Sequence, residues 1–215
     1  SSLALPAKAD DLRRKAVLDL NRLEEVVSAK PSCSWSTNSP APRRIAGLDW
    51  RGSKVEAFDV ARQFIDEYPG LFLGSSSQLV FDEVDSSEGR RWIHFRQSWR
   101  GLEVLGSRTT VTVNEHGAVI GVTNDIYDLR GLDSAPGTEL ITPKRAFEIA
   151  GESVRTGAAN SERSELLVRK VVLADPNKAV IAYRVLVPTT PLEKIVVLLD
   201  ASTGKVVQVR NEAIR

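Results

Sequence analysis

The sequence has no methionine, one cysteine (Cys33) and two histidines (His94 and His116) in 215 residues. A chain without methionine does not start at an initiator, so the expectation is a processed or excised piece of a longer protein. One thiol cannot form an intramolecular disulfide, which leaves the redox compartment open. Two histidines do not make the usual zinc hydrolase set of about three protein ligands plus a general base, and H-E-x-x-H is absent. Charge of one sign is missing too. Lys+Arg 29 against Asp+Glu 28 leaves a formal net charge of +1, and a nucleic-acid partner needs a concentrated basic surface. No apolar run approaches the ~18 residues that span a bilayer, and the N-terminus has no signal-peptide core, so no membrane partner is expected. G-x-S-x-G, the P-loop and G-x-G-x-x-G are likewise absent.

What is present is ordinary globular material, 42% hydrophobic and 27% charged. Residues 1–30 read as a helix after a short lead, with Leu12, Ala16, Leu20, Leu23 and Val27 on one face. "KPSCSWSTNSPAPRR" (30–44) reads as a Ser- and Pro-rich linker. Ser53 and Glu56 have the spacing of a capping box and predict a helix from Ser53. Its apolar stripe is Val55, Phe58, Ala61, Phe64, Ile65 and Tyr68, and Pro69-Gly70 stops it.

The period then switches from 3.6 to 2. Residues 78–84, 91–99, 107–113 and 118–129 predict antiparallel strands, with Arg100-Gly101 turning the chain back through Leu102, Val104 and Gly106. Thr142-Pro143 predicts a helix start with Ala146, Phe147, Ile149, Ala150 and Val154 buried. Strands follow at 165–174, 179–188, 194–200 and 205–211. The expected fold class is α+β: two tandem units, each an antiparallel sheet with a helix packed on one face, preceded by an N-terminal helix. The expected divisions are 1–49, 50–135 and 136–215.

No residues assemble into recognisable chemistry. His94 lies in a strand and His116 in a turn, and neither has a legible ligand partner, so no metal site is expected. Cys33 has no neighbouring base, and Asp82, Glu83, Asp85 and Glu88 read as a solvated hairpin. In "RWIHFRQSWRGLEVLG" (91–106), alternation sends Ile93, Phe95, Gln97 and Trp99 toward the helix, and Trp92, His94, Arg96 and Ser98 outward.

"IHFRQSWRGLEVLGSRTTVTVNEHGAVIGV" (93–122) resembles the fungalysin/thermolysin propeptide motif, at Phe95, Gln97, Trp99, Gly101, Val104, Gly106 and Gly117. "AFDVARQFIDEYPGLFLG" (57–74) resembles that family's helix and exit. Residues 140–211, with "ITP" and "LLDASTGKVV", resemble the PepSY module that commonly follows. His94 departs from the family's frequent Arg, and Leu105 from its frequent aromatic.

The resemblance implies a non-catalytic propeptide of a secreted zinc metallopeptidase, extracytoplasmic, which assists folding of the catalytic domain in cis and inhibits it until cleavage. Zinc is then expected in that downstream domain, with no cofactor in this chain. The expected enzyme contacts are on the 91–106 hairpin, at its outward His94 and Arg96, at Gln97 and at the Arg100-Gly101 turn, and in the tail "VQVRNEAIR" (Val209, Arg210, Asn211 and Arg215), running toward the substrate cleft. Two other classes stay open: a stand-alone secreted or periplasmic inhibitor or interaction module, and an enzyme in its own right. An H-E-x-x-H read beyond Arg215 would favour the propeptide.

Overall fold

The first helix forms where its apolar spacing puts it. A computed structural model of the protein describes residues 7–35, 39–74, 78–133, 140–154, 167–175, 178–188 and 193–213, and helix α1 covers Ala7–Val26. Leu12, Ala16, Leu20, Leu23 and Val27 are all buried, as the stripe predicts. No helix among the described residues is long and apolar enough to cross a membrane. The protein is α+β, and the chain divides into two compact units, Ser1–Asp128 and Leu129–Arg215.

In the first unit the expected linker is instead a pair of strands. β1 (Ser32–Trp35) runs antiparallel to β2 (Pro42–Trp50). Serine and proline there signal a loop, but Cys33 and Trp35 alternate inward onto the core, and the Arg13 guanidinium lies 3.8 Å over the Trp35 ring. Pro42 stands at the first residue of its strand, where a missing N–H does least harm to the ladder.

The second helix starts later than the capping box predicts. α2 spans Ala57–Glu67, and Glu56 at its N-cap makes no side-chain cap bond. Gln63 from the second turn reaches back instead. Its Oε1 accepts from the backbone N–H groups of Ser53 (3.0 Å) and Lys54 (3.3 Å), holding that segment outside the helix. Val55 is therefore exposed, while Ala61, Phe64, Ile65 and Tyr68 fill the core and Trp50 meets the Phe64 ring edge-on at 5.1 Å.

Five strands follow: β3 (Leu79–Ser87), β4 (Arg90–Trp99), β5 (Leu102–Leu105), β6 (Arg108–Asn114) and β7 (Val119–Asp125). β4 takes β3 along one side and β6 then β5 along the other; β6 pairs β7, and β7 pairs β2, all antiparallel. The β4–β5 turn has only two residues, Arg100 (φ 48°) and Gly101 (φ 81°), the positive pair that a tight right-twisting hairpin requires.

Two polar groups pin this unit from inside. Asn124 is buried; its Nδ2 donates to Pro42 O (3.0 Å) and Leu71 O (3.1 Å), and its Oδ1 accepts from Thr109 Oγ1 (3.0 Å). Asp19 on α1 accepts the backbone N–H of Gly70 at 2.7 Å, in the 3-10 turn Pro69–Phe72. The helix passes so close that a Cβ on Gly70 would stand 2.5 Å from Lys15 O.

In the second unit a short helix α3 (Arg130–Asp133) precedes α4 (Pro143–Ser153). Thr142 caps α4 as expected, its side chain accepting from Arg145 N at 3.2 Å. The sheet is a meander: β8 (Val168–Ala174), β9 (Ala179–Pro188), β10 (Glu193–Asp200) and β11 (Val206–Ala213). Ala146, Phe147 and Ala150 pack on Tyr183, Val185, Val187, Val197 and Leu199. The Tyr183 hydroxyl donates to Ile141 O at 2.8 Å, so its polar end is satisfied.

The closing hairpin turns on Asp200, whose Oδ1 accepts from Ser202 N (2.9 Å), Ser202 Oγ (2.6 Å) and Thr203 N (3.0 Å). Partial burial pushes this carboxyl up, but the bonds from Ser202 and Thr203 outweigh it and hold it below the usual carboxylate range.

Two outcomes are expected. Gly70→Ala forces α1 and the 3-10 turn apart and lowers unfolding free energy by about 1–3 kcal/mol, read as the urea midpoint. Asp200 binds its proton at lower pH folded than unfolded, so its contribution is present above about pH 3.9 and is lost as pH falls through the lowered value. Asp200→Asn keeps the acceptor oxygen and removes the titration. The Tm gap between wild type and variant should therefore narrow between neutral and acid pH, and a constant gap would contradict the carboxylate's role.

Candidate functional site

Strand β4 carries the residues singled out from the sequence, and its alternation holds. Ile93, Phe95, Gln97 and Trp99 are buried on the α2 side, while Arg96 stands exposed on the other. A bulge in β3 between Phe81 and Glu83 keeps Glu83 opposite His94, with Asp85 two residues further on the same face. From β6, Thr110 is opposite His94 on its other side.

His94 lies on the face away from α2, as expected, but is not exposed there. It is buried, and its ring is bonded at both nitrogens. Arg108 Nε–H donates to Nδ1 at 3.1 Å, which demands a lone pair there. The neutral ring thus carries its proton on Nε2 and donates to Asp85 Oδ2 at 3.0 Å, while the Thr110 hydroxyl lies 2.8 Å from Nδ1. Arg108 Nη2 also donates to Glu83 Oε1 at 2.8 Å. Side chains from β3 and β6 thus close over the ring, a cover that period-two patterning of β4 alone does not reveal.

Glu83, Asp85 and His94 present three ligand-type atoms within 4.8 Å of one another, a grouping the sequence reading missed because it took the acids for a solvated hairpin. The positive charge among them belongs to Arg108, which bonds both Glu83 and His94, so a guanidinium takes the place a metal ion would fill. Arg96 continues the network, ion-paired to Asp82 and to Glu103 (3.3 Å).

Gln97 is a second correction. Its Nε2 donates to Tyr127 O (2.7 Å) and its Oε1 accepts from Tyr127 N (3.0 Å), while its own N–H donates to Ser107 Oγ (2.9 Å). It clamps the chain leaving β7 and is buried; the alternation that grouped it with Phe95 was the available signal. Arg100 and Gly101 do sit exposed at a hairpin tip, the guanidinium 4.7 Å over the Trp99 ring.

The strand expected over 205–211 is present, and it takes up the expected tail. Residues 206–213 form β11, paired to β10 from Glu193↔Ala213 to Leu199↔Val206, so the stretch is a sheet edge rather than a free extension. Val209, Arg210 and Asn211 are exposed on that strand, and Arg215 lies outside the described residues. His116 is an exposed turn residue whose N–H donates to Asn114 Oδ1 (3.0 Å). Cys33 is half-buried; burial pushes its thiol up, with Arg13 opposing and Glu24 adding, which is the wrong direction for a thiolate nucleophile or ligand.

The run from β3 to β7 also carries a match to a known family. Residues 78–126 match the Fungalysin/Thermolysin Propeptide Motif. No curated protein matches. Solved structures that match include the Bacillus megaterium YpeB C-terminal domain, 16% identical, covering 98% of this chain and 99% of that one at a TM-score of 0.37. A candidate lipoprotein from Clostridium difficile 630 is 15% identical, covering 75% of this chain and 96% of that one at a TM-score of 0.28. The propeptide motif thus covers the whole β3–β7 meander, including the His94 network and the Gln97 clamp.

Gln97→Ala should leave the Tyr127 N–H and C=O without their partner and cost about 1–3 kcal/mol of stability. Chemical denaturation tests this. An unchanged midpoint would show that the clamp is dispensable.

Proposed function

We propose that this chain is the non-catalytic propeptide of a thermolysin- or fungalysin-type zinc metallopeptidase. It binds the catalytic domain, assists its folding and holds it inactive until cleaved, outside the cytoplasm. The observation that carries the reading is the propeptide motif over residues 78–126. Two reactive groups agree with it. His94 is tied between Asp85 and Arg108, and burial holds the Cys33 thiol protonated.

Such inhibition needs surface rather than chemistry in the propeptide. A standard protein interface buries about 1,600 Å² in total, and covalent linkage supplies an effective concentration that a separate inhibitor lacks. The exposed elements available for contact are the β4–β5 tip at Arg100-Gly101 and the β11 edge at Val209, Arg210 and Asn211. Zinc belongs to the enzyme in this reading, and no step of the inhibition uses a metal held by this chain.

Added in trans, the chain should slow peptide hydrolysis by a thermolysin-type metallopeptidase and raise the yield of active enzyme on refolding. Val209→Asp should weaken inhibition by about tenfold, with melting unchanged. Absence of both inhibition and refolding assistance would overturn the reading.

A further inference from the structure

The first unit leaves one strand half paired. Among the described residues β3 bonds to β4 alone, so its other edge offers a row of backbone N–H and C=O groups. The helix α2 covers β4 and reaches β3 at Leu79, whose C=O accepts from Arg62 Nη1 at 3.0 Å, and at Phe81. Phe81 (47% exposed) and Val84 (43%) remain open on the helix side, beside Phe58 (40%) and Val55 (85%). The Phe58 ring meets Phe81 edge-on at 5.1 Å and stacks on the buried Phe95 at 6.3 Å, so this apolar strip continues the core out to the edge. Beyond it, a cleft of about 490 Å³ lies between Val55–Ala57 and the hairpin end at Ser86–Arg91.

The other face of β3 is acidic. Glu83 and Asp85 keep 53% and 64% of their side chains exposed even with Arg108 and His94 bonded to them. Across the face, the carboxylates of Asp82, Glu83, Asp85 and Glu103 are set against the guanidiniums of Arg96 and Arg108. A second copy of the chain is therefore a poor occupant. Two β3 strands joined with their apolar faces on one side bring their acidic faces together on the other, and like charges across a strand pair repel.

We infer that the β3 edge receives an extended segment that alternates apolar with basic residues, supplied by the enzyme chain that the propeptide reading assigns as partner. The apolar side chains cover Phe58, Phe81 and Val84, the basic ones face Glu83 and Asp85, and the backbone extends the sheet by one strand. The inference rests on that reading for the source of the segment, and on the charge and burial of β3 for its chemistry.

The test uses the full chain and two labelled peptides of about seven residues, roughly the span of the β3 edge. One alternates Val with Lys, the other Val with Glu. At low salt the Lys peptide should shift amide resonances of residues 79–87 and bind at least about tenfold tighter than the Glu peptide, a preference that shrinks as salt screens it. Phe81→Arg should abolish binding and Phe81→Leu retain it; Glu83→Gln with Asp85→Asn should narrow the charge preference. Each variant is first matched to wild type in thermal melting, and Phe81→Leu carries the comparison if Phe81→Arg melts early.

Equal binding of both peptides, binding indifferent to Phe81→Arg, shifts centred elsewhere, or dimerisation through residues 79–87 would each overturn the inference. Inhibition of a metallopeptidase by the wild-type chain is scored separately. Inhibition without peptide binding removes the β3 site and leaves the propeptide reading standing. Peptide binding without inhibition or refolding assistance removes that reading and leaves the site.

Discussion

Phe95 and Ile93, packed without exposure on the α2 side of β4, set the constraint on which the first unit depends. Burying two such side chains fully is worth about 1.5–3 kcal/mol each, and a one-residue slip would turn both toward water. With that register held, Gln97 must point inward and His94 and Arg96 must point away. The neighbours then follow. β3 lies on one side with its bulge, β6 on the other, and the side chains opposite His94 come from both.

The same constraint explains why the residue types that first suggest chemistry do structural work. His94 has an arginine N–H at one nitrogen and a carboxylate at the other, which leaves no lone pair free for a substrate or metal without dismantling the network. Gln97, despite being polar, satisfies a half-buried backbone pair at Tyr127. The exposed features of the described residues are instead the hairpin tip, the β11 edge and the apolar margin of β3.

The N-terminal segment shows how a short polar stretch is drawn into the fold. Serines and prolines between 30 and 44 have low strand preference, yet Cys33, Trp35 and Ile45 supply enough inward-facing surface to pair β1 with β2. α1 belongs to the same unit and is held by its apolar stripe and by Asp19 at Gly70. That contact joins residues 51 positions apart, which is why no local pattern announces it.

The sequence by itself determined the α+β class, the buried stripe of α1, the Thr142 cap, the two-residue turn at Arg100-Gly101 and the inward set of β4. All of these depend on periodicities of 3.6 or 2, or on backbone preferences that act within a few residues. Tertiary structure decided the rest. It moved the start of α2 to Ala57 through Gln63, closed two strands over His94, and left Phe81 and Val84 at an exposed margin. Each of those outcomes depends on which distant residue arrives alongside. Spacing along one segment carries no record of that, because pairing and burial are settled between segments.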